Sequence, residues 1–156
     1  MRLWRLTKPE HAPGLDGASL DKNGARLWGG RWNSPRIAMV YTASSLALAT
    51  LEMLVHLPPA MRRAGGFPKF IAVCLDVPDP LIAPFDAASL PANYGIPDCR
   101  AVGDAWINGG ASLGLAVPSR VIMREVNVVL NPAHTAIADV EITVQEDFLF
   151  DDRLGL

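Results

Sequence analysis

GGRWNSPRIAMVYTASSLALATLEMLVHL, residues 29–57, changes its local grammar twice. Gly29 and Gly30 open a flexible turn before Arg31. Ile37 to Ala43 then reads as a strand from its β-branched and aromatic content. Ser44 or Ser45 can N-cap a helix that runs to about His56, because Leu, Ala, Met and Glu dominate it and Pro58-Pro59 stops it. The helix carries only Thr50, Glu52 and His56 as strongly polar side chains, so most of its circumference is apolar and burial over most of its surface is expected. An acid in the middle of such a helix needs a reason.

Outward from this segment the chain is punctuated into short elements by 13 prolines and 13 glycines. RLWRLT alternates as a first strand, and PEHAPGLDGASLDKNGARLWGG reads as loop. KFIAVCLDV (Lys69 to Val77) is an apolar run of strand length. The spacing of Val102, Ala105, Trp106 and Ile107 predicts a second helix over about Asp98 to Leu113, ended near Gly109-Gly110. LAVPSRVIMREVNVVLNP gives two short strands broken at Pro118-Ser119 and closed by Asn131-Pro132, and VEITVQEDFLF a last one. About five strands and two helices without βαβ alternation predict an α+β fold, with an antiparallel or mixed sheet rather than a doubly wound one.

With 156 residues, half of them apolar, residues 1–156 are expected to form a single domain with a real core. A formal charge of -2 argues against nucleic acid or an anionic membrane as a direct partner. No apolar run reaches 18 residues and MRLWRLTKPEH lacks the apolar core of a signal peptide, so a soluble, cytoplasmic protein is expected. Cys74 and Cys99 stand outside any CxxC pattern, and no His pair has metal-ligand spacing. Free thiols and no metal are expected.

Taken alone, the polar residues leave alternatives open. Glu52 and His56, at i and i+4, fit an exposed surface pair as well as a functional site, and ExxxH lacks the second histidine of a zinc helix. Arg31, after two glycines, can grip phosphate or carboxylate bidentately, or clamp a loop. Tyr41 fits plain core. Ser119 after Pro118 fits a turn. The absence of GxGxxG after a strand disfavours a Rossmann mode of nucleotide binding.

The combination GGRWN, then VYTA with a helix holding LE, then VPS followed by E-x-N-x-x-LNP, with LWRL at the start, resembles the RES domain, named for its Arg, Glu and Ser. These proteins are toxins of bacterial toxin–antitoxin pairs. The resemblance implies an ADP-ribosyltransferase-like fold and consumption of NAD, with ADP-ribose passed to a protein side chain, phosphate or water. It assigns Glu52 as the catalytic acid, Arg31 and Tyr41 as catalytic and pocket residues, and Ser119 as the serine of the name. Arg5, beside Trp4, fits a nucleotide-gripping position, and Asn127 and Asn131 are further pocket candidates. It also implies an Xre-type helix-turn-helix antitoxin covering the active site. The alternative from another class is a non-catalytic nucleotide-binding or protein-interaction module that keeps only the fold.

Overall fold

The computed structural model describes residues 1–12, 25–63 and 67–154, so part of the long segment before Trp28 lies outside the described residues. Its frame is one seven-stranded sheet. In chain order the strands are β1 (Arg2–Thr7), β2 (Val40–Ala43), β3 (Phe70–Asp76), β4 (Ile82–Ala83), β5 (Gly114–Pro118), β6 (Val126–Leu130) and β7 (Glu141–Phe148). Across the sheet the order is β4-β5-β6-β2-β1-β3-β7. Every neighbouring pair is antiparallel except β4 with β5. The expected mixed α+β class is therefore present. The helices are α1 (Ala25–Trp28), α2 (Leu46–His56), α3 (Pro59–Arg63) and α4 (Ile96–Gly109).

The pleat of β1 divides the core. Leu3 packs with Val40, Val73, Leu75, Val128 and Leu130 on one face, which the 3₁₀ turn Thr135–Asp139 and its Ala136 and Ile137 help to cover. Leu6 and Trp4 point the other way, onto Leu46, Met53, Leu54, Leu48 and Ala49 of α2. On that second face α4 lies beside α2, pressing Cys99, Val102, Trp106 and Ile107 toward Leu115, Val117 and Val129. The two helices thus share one face of the sheet.

Local chemistry sets the element ends. Ser45 is the N-cap of α2, its Oγ accepting from the Leu48 N–H at 3.1 Å. α4 begins two residues before Asp98, because the Asp98 carboxylate reaches back to the Gly95 N–H at 2.8 Å. It ends at Gly110, whose φ of 60° is left-handed. β2 is shorter than expected at its start: Asn33 Nδ2 donates to the Ile37 carbonyl at 2.8 Å, which holds residues before Val40 in a loop. α1 lies within the stretch that the sequence pattern reads as loop, and α3 and β4 are short elements in stretches to which it assigns neither helix nor strand. α2 is less enclosed than its composition suggests, since only Leu48 and Ala49 are buried while Val55 is 51% exposed. Many of its apolar side chains are half-buried against β1 and β2 rather than surrounded. Both cysteines are free and buried. Among the described residues no helix is long and apolar enough to cross a membrane.

Candidate active site

Glu52 leaves α2 toward the part of the shared face where β5 ends and β6 begins. There its Oε1 accepts two hydrogen bonds, from Ser119 Oγ at 2.7 Å and from Asn127 Nδ2 at 2.6 Å. Both donors come from the β5–β6 hairpin: Ser119 directly follows β5, and Asn127 lies in β6 opposite Ala43 of β2 and Val117 of β5. The surface-pair alternative with His56 finds no support, for His56 is exposed while Glu52 is half-buried and turned to the hairpin. Among the described residues no cation forms an ion pair with Glu52.

Ser119 is fixed from both sides. Its Oγ accepts from the backbone N–H groups of Val121 at 3.1 Å and Ile122 at 2.9 Å, which leaves its own hydrogen for the Glu52 carboxylate. The side chain is thus a turn residue and a partner of Glu52 at once. Ser119→Ala would remove a donor to Glu52 and leave two N–H groups without their acceptor. We expect about a tenfold loss of turnover for the reaction proposed below and a destabilisation of about 1–3 kcal/mol, read by steady-state kinetics and denaturant unfolding. An unaltered midpoint would show that this turn does not depend on Ser119.

Asn127 presents a second feature. With Nδ2 committed to the carboxylate, its Oδ1 is buried and has no hydrogen-bond partner among the described residues. A buried acceptor of this kind is costly unless a donor reaches it. A cavity of about 520 Å³ lies along the hairpin, lined by Val117, Pro118 and Val126 together with Phe85, Leu90 and Tyr94; Glu52, Ser119, Asn127, Arg31 and Tyr41 are not among its lining residues.

Tyr41 and Arg31 form the next part of the site. The Tyr41 hydroxyl accepts from the Trp32 N–H at 3.0 Å and donates to Asn33 Oδ1 at 2.7 Å. Asn33 Oδ1 also accepts from the Gly30 N–H at 2.9 Å, so it holds one end of the Gly-Arg-Trp turn directly and the other through the Tyr41 hydroxyl. Gly30 is required by space: a Cβ there would collide with the Tyr41 hydroxyl. The Arg31 guanidinium is half-buried and makes no hydrogen bond or ion pair among the described residues. It is available to an anion.

Enclosure of its hydroxyl raises the Tyr41 pKa well above the ordinary value of about 10, against the opposing effects of the Trp32 N–H and the Arg100 and Arg31 charges, with Asp104 adding to the rise. Tyr41 is therefore a neutral hydrogen-bonding group rather than a base. The native state holds this proton more tightly than the unfolded chain, so its contribution to stability is complete below about pH 10 and is lost as pH rises further. Tyr41→Phe should flatten the fall of unfolding free energy above pH 10 by up to about 1.4 kcal/mol per pH unit. Equal alkaline slopes for the two proteins would contradict this placement.

Two candidates lie elsewhere. Arg5 shares the strand face of Leu3 and Thr7, opposite the face that receives α2, and its Nη2 donates to Thr7 Oγ1 at 3.1 Å. The sheet stands between Arg5 and Glu52. Strand alternation thus turns Arg5, expected to grip a nucleotide beside Glu52, to the other face of the sheet. Asn131 is buried and spends its amide on the Ile107 carbonyl and the Ala133 N–H, fastening the end of β6 to α4. Asn33, Arg100 and Asp104, which shape the arginine loop, were not singled out by sequence reasoning; the only signal was the asparagine within GGRWN.

The RES domain profile matches residues 2–151. The chain belongs to the RES domain family. Two curated RES relatives align over nearly their whole length: the "Prs ADP-ribosylating toxin" of Sphingobium sp. (strain YBL2), 33% identical over 97% of this chain and 94% of its own, and a "Toxin Res" of Photorhabdus laumondii, 33% identical over 99% and 97%. A chain of the crystal structure of the M. tuberculosis MbcT–MbcA toxin–antitoxin complex superposes with a TM-score of 0.68 at 21% identity, over 99% of this RES chain and 86% of that one. At that identity the likeness concerns the fold. Among the described residues, no group of three or more His, Cys, Asp or Glu side chains is arranged to hold a metal ion.

Proposed function

We propose that this RES protein is a bacterial toxin that consumes NAD, breaking the bond between nicotinamide and ribose and passing ADP-ribose to an acceptor. The observation that carries this reading is the state of Glu52: a carboxylate mounted on a helix, held by two neutral donors on one oxygen and balanced by no ion pair among the described residues. Cleavage of this bond develops positive charge at the anomeric carbon, as in glycoside hydrolysis. Nicotinamide leaves a cationic ring as a neutral base and needs no proton. One fixed carboxylate facing the sugar is then sufficient to stabilise the charge, or to hold a ribose hydroxyl.

The other residues take complementary roles. Arg31, with its forked donors uncommitted, holds phosphate oxygens of NAD. Tyr41 keeps its neutral hydroxyl on the arginine loop and offers its ring to the nicotinamide. Ser119 and Asn127 orient Glu52, and the unpaired Asn127 Oδ1 can accept from a hydroxyl or amide of the substrate. The likeness to the Sphingobium relative, named as an ADP-ribosylating toxin, supports NAD as substrate and a protein side chain as one acceptor class. Phosphate and water are the others.

A partner of matching chemistry follows. The superposition on a toxin–antitoxin complex supports an antitoxin, which we take to be an Xre-type helix-turn-helix protein acting in the cytoplasm. An acidic group or terminal carboxylate inserted against Arg31 would silence the pocket by competing for the same guanidinium. The test is an inventory by mass spectrometry of products from NAD, with and without phosphate and with a cell lysate as acceptor source. Release of nicotinamide is expected. A folded protein that binds NAD without releasing nicotinamide would instead be a non-catalytic nucleotide-binding module.

A further inference from the structure

The loop that carries Arg31 is held from one side by α4, at alternate residues. Arg100 Nε donates to the Gly30 carbonyl at 2.8 Å and Arg100 Nη2 reaches the Trp28 carbonyl at 3.5 Å. Asp104 Oδ1 accepts from the Ser34 N–H at 2.9 Å. Between these two, Gly103 lies directly under the Trp32 carbonyl, where an added Cβ would overlap the oxygen. Residues 100, 103 and 104 follow the i, i+3, i+4 spacing of one helix face, so a single stripe of α4 meets the backbone of residues 28, 30, 32 and 34.

We propose that Arg100, Gly103 and Asp104 form a clamp that sets the direction in which Arg31 meets its anionic ligand. They are positioning residues: Arg100 and Asp104 bind loop backbone and Gly103 lets it approach, while Arg31 keeps its donors uncommitted between two held positions. An arginine on an unheld glycine turn would lose several side-chain and backbone rotations on binding, and that entropy weakens affinity. Holding the backbone in advance removes part of the loss. The stripe also explains why glycine stands at position 103 in the middle of a helix, where it costs about 1 kcal/mol against alanine: only glycine lets the helix approach the carbonyl.

This inference rests on the reading of Arg31 as an NAD phosphate ligand, and the test separates the two. Nicotinamide release and NAD binding would be measured for the full chain and for Arg100→Ala, Arg100→Lys, Asp104→Ala, Asp104→Asn, Arg31→Ala and the double variant Arg31→Ala/Arg100→Ala. Arg100→Ala should raise KM and Kd for NAD about tenfold with kcat changed less than twofold. Arg100→Lys and Asp104→Asn, which keep one donor or acceptor for the loop, should recover part of that loss. Because Arg100 acts through Arg31, the double variant should bind NAD no worse than Arg31→Ala alone. Strictly additive losses, or an unchanged KM in a folded Arg100→Ala protein that still cleaves NAD, would overturn the clamp. Failure of the unaltered protein to bind or cleave NAD would overturn the functional reading itself.

Discussion

Glu52→Gln lowers kcat for nicotinamide release by about 10²-fold or more and leaves the dissociation constant for NAD nearly unchanged; that is the expected result if the carboxylate acts where charge develops. The geometry makes this a clean substitution. Glutamine has the same shape, and its carbonyl oxygen can accept from Ser119 Oγ and Asn127 Nδ2 as Oε1 does now. What disappears is the negative charge. A fold-disrupting effect is not expected, because α2 is anchored by Leu48, Ala49 and the Ser45 cap rather than by Glu52. Near-normal turnover by the folded Glu52→Gln protein would remove Glu52 from the chemistry.

Arg31→Ala should weaken NAD binding by about 1.5–3 kcal/mol, the range of a charge-assisted hydrogen bond, or roughly ten- to a hundredfold in Kd. Unfolding free energy should move little, since the guanidinium bonds to none of the described residues. Salt should weaken the unaltered protein's affinity more than the variant's, because a cation that meets the diphosphate is screened. A Kd that stays put in Arg31→Ala would place the residue outside the pocket. If the antitoxin covers this pocket, the same variant should also bind antitoxin less tightly, and NAD should compete with antitoxin for the unaltered protein.

How far this centre could be read from sequence depends on the kind of signal. The Ser45 cap, the Pro58-Pro59 stop and the break at Pro118-Ser119 are local, and the corresponding ends of α2 and β5 lie where those residues predict. The apolar composition of α2 misled in degree: a helix lying on a sheet needs only one covered face, and Val55 and His56 stay outside. The resemblance places Arg5 with the pocket, whereas strand alternation turns it to the face of the sheet away from Glu52. The link from Glu52 to Ser119 and Asn127 spans 67 and 75 positions, and the grip of Arg100 on Gly30 spans 70. No local periodicity records such pairs. Family resemblance named Arg31, Glu52 and Ser119 together, but not that Ser119 and Asn127 both bond to the same oxygen of Glu52.

That long reach has a consequence during synthesis. A chain that has emerged from the ribosome only as far as Pro118 already carries Arg31, Tyr41 and Glu52, yet has neither hydroxyl nor amide to orient the acid and no β6 to pair with β2. Pairings so distant in sequence form late, after the loop-closure entropy has been overcome. Synthesis of Arg31, Tyr41 and Glu52 is therefore not enough: an oriented acid arises only once the β5–β6 hairpin has been made and has closed against β2 and α2.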